Sequence, residues 1–136
     1  MNFMSTSKFQ SILAIGAHPD DIEYGCLGTL MKQKKVGAQC HAFIASFGSK
    51  GDPSSGPARK LESSRALQST LSSPVAFRET VGLGAEEFNQ AMDTLFAYIQ
   101  QIKPDLILTH GPHDTHQEHR LVYEITLAAA RRSRAS

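Results

Sequence analysis

Two short stretches hold most of the side chains that could do chemistry. The first is Ala17-His18-Pro19-Asp20-Asp21. The second runs from His110 to His119 and reads His-Gly-Pro-His-Asp-Thr-His-Gln-Glu-His, so four of the six histidines fall within it. Imidazole with carboxylate is the donor set of a zinc site, and a catalytic zinc takes three protein ligands with a fourth position left open. His18 and Asp21 could come from the first stretch and one histidine from the second. Asp20 would then remain as a carboxylate able to take a proton from an activated water. Each stretch alone has an ordinary explanation. Paired aspartates after a strand cap a helix, and a His-x-x-His at a helix start is commonly just solvated. Their joint placement at the ends of two strands is what points to a site. Pro19 adds to this by restricting His18 to an extended conformation.

The elements that must position these residues follow from hydrophobic patterning. Ser11 to Ala17 is a short apolar run, as expected of a buried strand. Asp20 to about Lys35 reads as a helix with a Lys-rich end before Gly37. Gln39 to Ser46 reads as a second strand, and Phe47 to Pro57 as a long loop. Ala58 to Leu71 reads as a helix with Leu61, Ser64, Leu67 and Leu71 on one face. Pro74 to Thr80 is a weaker third strand. Glu86 to Ile102 is the best-patterned helix, with Phe88, Met92, Leu95, Ile99 and Ile102 recurring at steps of four and three. Pro104 stops it. Asp105 to His110 is a fourth buried strand, and a last helix runs from about His119 to Arg131 with Leu121, Ile125 and Ala128 inward. Strand and helix alternate throughout, which predicts an α/β, three-layer, Rossmann-like domain with a mostly parallel sheet. Ligands of such sheets bind at the carboxyl ends of the strands, where both histidine-bearing stretches fall.

The chain has 136 residues, 40% of them apolar and 20% charged, which fits one globular domain over 1–136 and excludes a disordered chain. Residues 1–10 are polar and unpatterned, and are expected to be flexible. Fourteen basic residues stand against thirteen acidic ones, so charge offers no case for a nucleic-acid partner or an anionic membrane. The longest apolar run near the start is too short to span a bilayer. Cys26 and Cys40 read as small buried apolar residues, which fits a cytoplasmic location. The fourth strand is expected at a sheet edge. An open edge of that kind implies a shortened chain or a partner, and a homo-oligomer is expected.

At this point the residues carry a resemblance. Ala17-His18-Pro19-Asp20-Asp21 resembles the signature of the LmbE-like family of metal-dependent N-deacetylases, also called the GlcNAc-phosphatidylinositol de-N-acetylase (PIG-L) family. Asp114-x-His116-x-x-His119-Arg120 resembles that family's second motif. Lys103 to His110 resembles the strand leading into it, and Arg59-x-x-Glu62 a third element. The resemblance implies that His18, Asp21 and His119 bind the metal, with Zn²⁺ expected and another divalent ion an alternative. It implies Asp20 as general base, His116 as the group that stabilises the oxyanion or protonates the leaving amine, and Arg59 as a substrate-binding residue. The implied reaction removes an N-acetyl group from a small amino-sugar conjugate, releasing acetate and a free amine. Two alternatives stand beside it: a metal-retaining sugar-binding module without turnover, and an amidase acting on a thiol-sugar conjugate.

The sequence also departs from the family pattern. Gln117-Glu118 stands where Pro-Asp or Gln-Asp is usual, and the extra methylene of Glu118 bears on the support of the ligands. Family members are generally longer, so a missing C-terminal part of the fold is expected, with the metal site complete and the substrate pocket not. Several residues are given bland roles. His41 is read as a satisfied strand histidine, and His110 and His113 as flanking residues. Glu23 is read as a first-turn acid that could also orient a ligand histidine. The glycines of 48–56 are read as a mobile rim loop.

Overall fold

The protein is described here from a computed structural model, over residues 7–48, 56–80 and 82–135. Four strands form one sheet: β1 (Ser11–Gly16), β2 (Gln39–Ile44), β3 (Ala76–Phe77) and β4 (Leu106–Leu108). The sheet order is β3-β2-β1-β4, and every pairing is parallel. The helices are α1 (Asp21–Gly25), α2 (Leu27–Lys35), α3 (Gly56–Leu67), α4 (Phe88–Ile102) and α5 (Gln117–Ala135). A 3₁₀ turn at Ala85–Glu87 leads into α4.

The unbroken apolar run of β1 is buried on both faces, as a central parallel strand must be. Leu13, Ile15, Phe43 and Ala45 meet Ala91, Leu95 and Ile99 of α4 and Val122, Ile125 and Ala129 of α5. The alternate residues Ile12, Ala14, Cys40, Ala42 and Ile44 meet Ile22, Leu30 and Leu67 of α1, α2 and α3. The result is the expected α/β/α sandwich. Among the described residues no helix is long and apolar enough to cross a membrane.

Several boundaries and faces differ from the sequence expectation. The first predicted helix breaks at Cys26, whose φ of −149° lies outside the helical range; the poor helix formers Gly25 and Gly28 flank it. In α3 the buried face is Gly56, Ser63 and Leu67, while Leu61 is half exposed. In α5 Ile125 is buried as expected, together with Val122, Thr126 and Ala129, whereas Leu121 and Ala128 are only half-buried. β4 is three residues long and half-buried rather than a six-residue buried strand. It does lie at a sheet edge, with β1 as its one partner among the described strands. Residues 7–10 are held rather than frayed: Ser7 N–H donates to Val36 O at 3.0 Å, and Phe9 packs on the α2 side. The remainder of the expected flexible N-terminus, and residues 49–55 of the expected rim loop, lie outside the described residues.

Local chemistry explains how β1 and β4 are brought into register. Lys103 adopts a left-handed φ of 52° and ends α4, and Pro104 prevents its continuation. Asp105 then accepts the N–H groups of Gln10 and Ser11 at 2.9 and 3.0 Å. That carboxylate fixes the start of both strands.

Candidate metal centre

β2 and β3 lie on one side of β1 and β4 on the other, so the strand order reverses between β1 and β4. The carboxyl-end crevice at such a reversal is the general ligand site of open parallel sheets. His18 and Asp21 leave β1 there, and His110 follows β4 there. The end of β1 is anchored by β2, because Ala45 N–H donates to Gly16 O at 2.9 Å and Ser46 N–H to Ala17 O at 3.0 Å. The chain then closes a tight turn in which His18 N–H donates to Asp21 Oδ2 at 2.8 Å. α1 sits so close over the strand end that a Cβ on Gly16 would lie 3.1 Å from Asp21 Cβ. The second turn is built by Asp114, whose Oδ1 accepts His116 N–H at 2.8 Å and whose carbonyl accepts the Arg120 guanidinium at 2.7 Å. α5 starts directly after it and carries His119 on its first turn.

Asp21 Oδ2 is the hub. It lies 3.6 Å from His18 Nδ1, 3.3 Å from His119 Nε2 and 3.5 Å from His110 Nε2. Two ligands of one tetrahedral zinc, each about 2.0–2.1 Å from the ion, lie about 3.3–3.4 Å apart. The donor atoms of His18, His116 and His119 fall within 4.8 Å of one another, as do those of Asp21, His110 and His119. The rings are packed: His119 stacks on His110 at 3.9 Å and on His116 at 4.5 Å. Carboxylates stand behind two of them. Glu118 Oε1 lies 3.4 Å from His18 Nε2 and accepts Leu83 N–H at 2.9 Å. Asp114 Oδ2 lies 3.1 Å from His119 Nδ1, off the line of a well-formed hydrogen bond.

Two of the imidazoles are already committed to backbone donors. His116 Nδ1 accepts Glu118 N–H at 3.1 Å, which places the ring proton on Nε2. His110 Nε2 accepts Ala17 N–H at 3.0 Å, which places its proton on Nδ1. Burial pushes the His18 imidazole below its ordinary pKa, against the pull of Asp21 and Glu118, and this favours the uncharged ring a metal needs. Burial alone would raise the Asp21 carboxyl, yet it is held below the usual range. A hydrogen bond from His110 would contribute, but Nε2 cannot donate to Asp21 at 3.5 Å while accepting from Ala17 at 3.0 Å. The His18 N–H donates to Asp21 Oδ2 at 2.8 Å and favours the ionised carboxylate.

The structure thus brings His18, Asp21, His116 and His119 together. Asp20 stands beside them at the exposed N-cap of α1, in a left-handed conformation with φ 82° that is strained for a non-glycine residue. Its carboxyl is hydrogen-bonded to Glu23. Among the described residues Glu23 contacts no ligand histidine, and it accepts a hydrogen bond from Ser63 Oγ at 3.4 Å. Arg59 donates to Gly48 O at 2.8 Å, and Gly48 packs on the His18 ring, so Arg59 reaches the rim through the backbone. His113 is exposed, and His41 is buried in β2 with Nδ1 2.6 Å from Ser73 Oγ. Sequence reasoning read Gly48 only as part of a rim loop and Asp114 only as a member of the second motif, and set His110 aside. The one available signal for His110 was its place at the end of a strand next to the histidine-rich turn.

Comparison with known proteins gives relatives in both sequence and fold. The sequence model described as GlcNAc-PI de-N-acetylase (PIG-L) matches residues 13–130. The uncharacterized deacetylase YaiS of Escherichia coli K12 is 31% identical over 138 residues, covering 93% of this chain and 71% of that protein. The N,N'-diacetylchitobiose deacetylase of Pyrococcus horikoshii superposes with a TM-score of 0.76 at 18% identity, over 91% of this chain and 50% of that one. GalB, a 4-carboxy-2-hydroxymuconate hydratase from Pseudomonas putida KT2440, superposes with a TM-score of 0.70 at 18% identity, over 88% and 55%. The chain therefore spans about half the length of these solved structures. The last of them carries a different reaction on the same fold, so the fold does not by itself fix the chemistry.

Proposed function

The chain belongs to the GlcNAc-PI de-N-acetylase (PIG-L) family, and from that premise we propose that it is a metal-dependent amide hydrolase. Its substrate class is an N-acetylated amino-sugar conjugate, and its products are acetate and a free amine. The observation that carries the reading is the hub at Asp21, within 3.6 Å of one nitrogen each on His18 and His119. His116 and His110 are spoken for by backbone N–H groups. His18, Asp21 and His119, the set that the family resemblance implies, would hold the ion, with Asp21 Oδ2 within 3.6 Å of each imidazole. Glu118 and Asp114 stand behind the two imidazoles as the outer carboxylates that orient ligand histidines. Zn²⁺ suits this donor set.

When bound, such an ion supplies Lewis acidity toward a water and an amide carbonyl. The chain's own residues do the rest. Asp20 accepts the proton of the attacking water, and its neighbour Glu23 holds that carboxyl by a hydrogen bond. His116, with its proton on Nε2, donates to the oxygen on which negative charge develops. A donor of this kind is worth about 10²–10³ in kcat. The amine must leave protonated. His116 Nδ1 already faces the Glu118 N–H, so the proton returns from Asp20. Arg59 and the Gly48 carbonyl stand at the rim, where a sugar hydroxyl would approach.

Acetate release from N-acetylglucosamine derivatives, measured with added Zn²⁺, tests the reading. Asp20→Asn is the informative variant, because asparagine tolerates the left-handed backbone that alanine would strain. It is expected to lose about 10²–10⁴ in rate with zinc still bound. Zinc binding without acetate release from several N-acetyl sugars would instead favour a sugar-binding module.

A further inference from the structure

The two ligand-bearing turns lie far apart in the sequence, and something must fix their separation. We propose that His110 is that positioning residue: it locks the Ala17–His18 backbone to the His119 ring without itself entering the ligand set. This deepens the reading above and rests on it.

The backbone ladder between β1 and β4 ends at the pair Ala14 and Leu108. Beyond that pair the two strands are joined by side chains. Thr109 Oγ1 donates to Ile15 O at 3.2 Å, and His110 Nε2 accepts Ala17 N–H at 3.0 Å. That second bond crosses 93 positions of sequence and lands on the residue before His18. The other side of His110 is its ring, which stacks on His119 at a centroid distance of 3.9 Å and an angle of 11°. One largely buried side chain thus touches both turns. An imidazole suits the place because it offers an in-plane acceptor and a flat face at once.

The rival assignment makes His110 a ligand, since its nitrogen groups with Asp21 and His119. The nitrogen nearest Asp21 is Nε2, whose lone pair is occupied by Ala17 N–H. Freeing it for a metal would leave a backbone donor unpaired at the end of a buried strand, which is unfavourable. Behind the ring lies a cavity of about 100 Å³ lined by Ile15, Ile22, Cys26, Leu108 and Thr109 among others. Truncation to alanine would enlarge it, so two bulkier variants are more informative.

His110→Phe keeps the stacked face and loses the acceptor; His110→Gln keeps an acceptor and loses the ring. Affinity for Zn²⁺ by chelator competition and the visible spectrum of the Co²⁺ form are measured for both and for the wild type. A positioning role predicts a 10–100-fold loss of affinity in His110→Phe, an unchanged Co²⁺ spectrum, and partial recovery of affinity in His110→Gln. Wild-type affinity in His110→Phe would overturn the proposal, and so would a Co²⁺ spectrum with one imidazole fewer in either variant. If His110→Phe does not fold, His110→Gln decides alone: an unaltered spectrum with affinity reduced less than tenfold supports positioning, and any other result refutes it. A wild type that binds neither ion would overturn the site reading and this one with it, whereas wild-type binding matched by His110→Phe overturns this one only.

Discussion

Gly48 is the residue on which the most geometry converges. Its φ is +67°, and a Cβ there would lie 2.7 Å from His18 Cδ2 and 3.1 Å from an Arg59 guanidinium nitrogen. Gly48→Ala therefore meets two penalties: about 1–2 kcal/mol for the left-handed backbone, and a clash that turns the His18 ring. Zinc affinity in competition titrations is expected to fall by tenfold or more, with the far-ultraviolet circular dichroism unchanged. Glu23 makes a prediction about pH. Burial, and then the neighbouring Asp20 carboxyl, push its pKa up to about 7 from an ordinary 4.5. The folded state therefore holds that proton more tightly than the unfolded chain does. The associated stability is fully present below about 4.5 and is lost as pH rises to about 7. Glu23→Gln removes this dependence. Thermal melts in chelator should show the variant gaining on the wild type across that window and holding a constant advantage above it.

At the level of the elements, legibility in the sequence follows how strongly each segment is patterned. α4 was readable because its Phe88–Ile102 stripe repeats over fifteen residues, and Leu95 and Ile99 are buried as that stripe requires. Leu95→Ala should cost about 2–5 kcal/mol in urea denaturation, and Met92→Ala at the half-buried margin should cost less. β1 was readable from its continuous apolar run. β4 was overextended, because Thr109 and His110 continue the line of the strand while making side-chain rather than ladder bonds to β1. The inward face of α3 was misread because it is lined by Gly56 and Ser63, which carry no hydrophobic signal. The candidate ligands were legible because they sit at strand ends in two dense motifs. Their supports were not. The Glu118 contact with Leu83 N–H, the pairing of Glu23 with Asp20 and the bridge from His110 to Ala17 are long-range or conformational facts with no spacing to betray them.

For the whole molecule, the site joins two turns that are distant in sequence across one sheet reversal, and this predicts a strong linkage between ion and fold. An ion present at a hundredfold excess over its dissociation constant adds about 2.7 kcal/mol to a native state that alone binds it. Chelation should therefore lower the melting temperature by several degrees, and restoring Zn²⁺ should recover it. A melting temperature indifferent to chelator would contradict the shared site.

The order of the strands also sets a timetable. β1 is synthesised first, and its sheet neighbours β2 and β3 follow soon after. The turn bearing His119 emerges only after more than a hundred residues have been made. During translation the nascent chain exposes His18 and Asp21 well before the partner that completes the cage exists. Ion capture therefore waits on the synthesis of α5, and a ribosome stalled before α5 would release a chain that carries half of the grip and cannot close it.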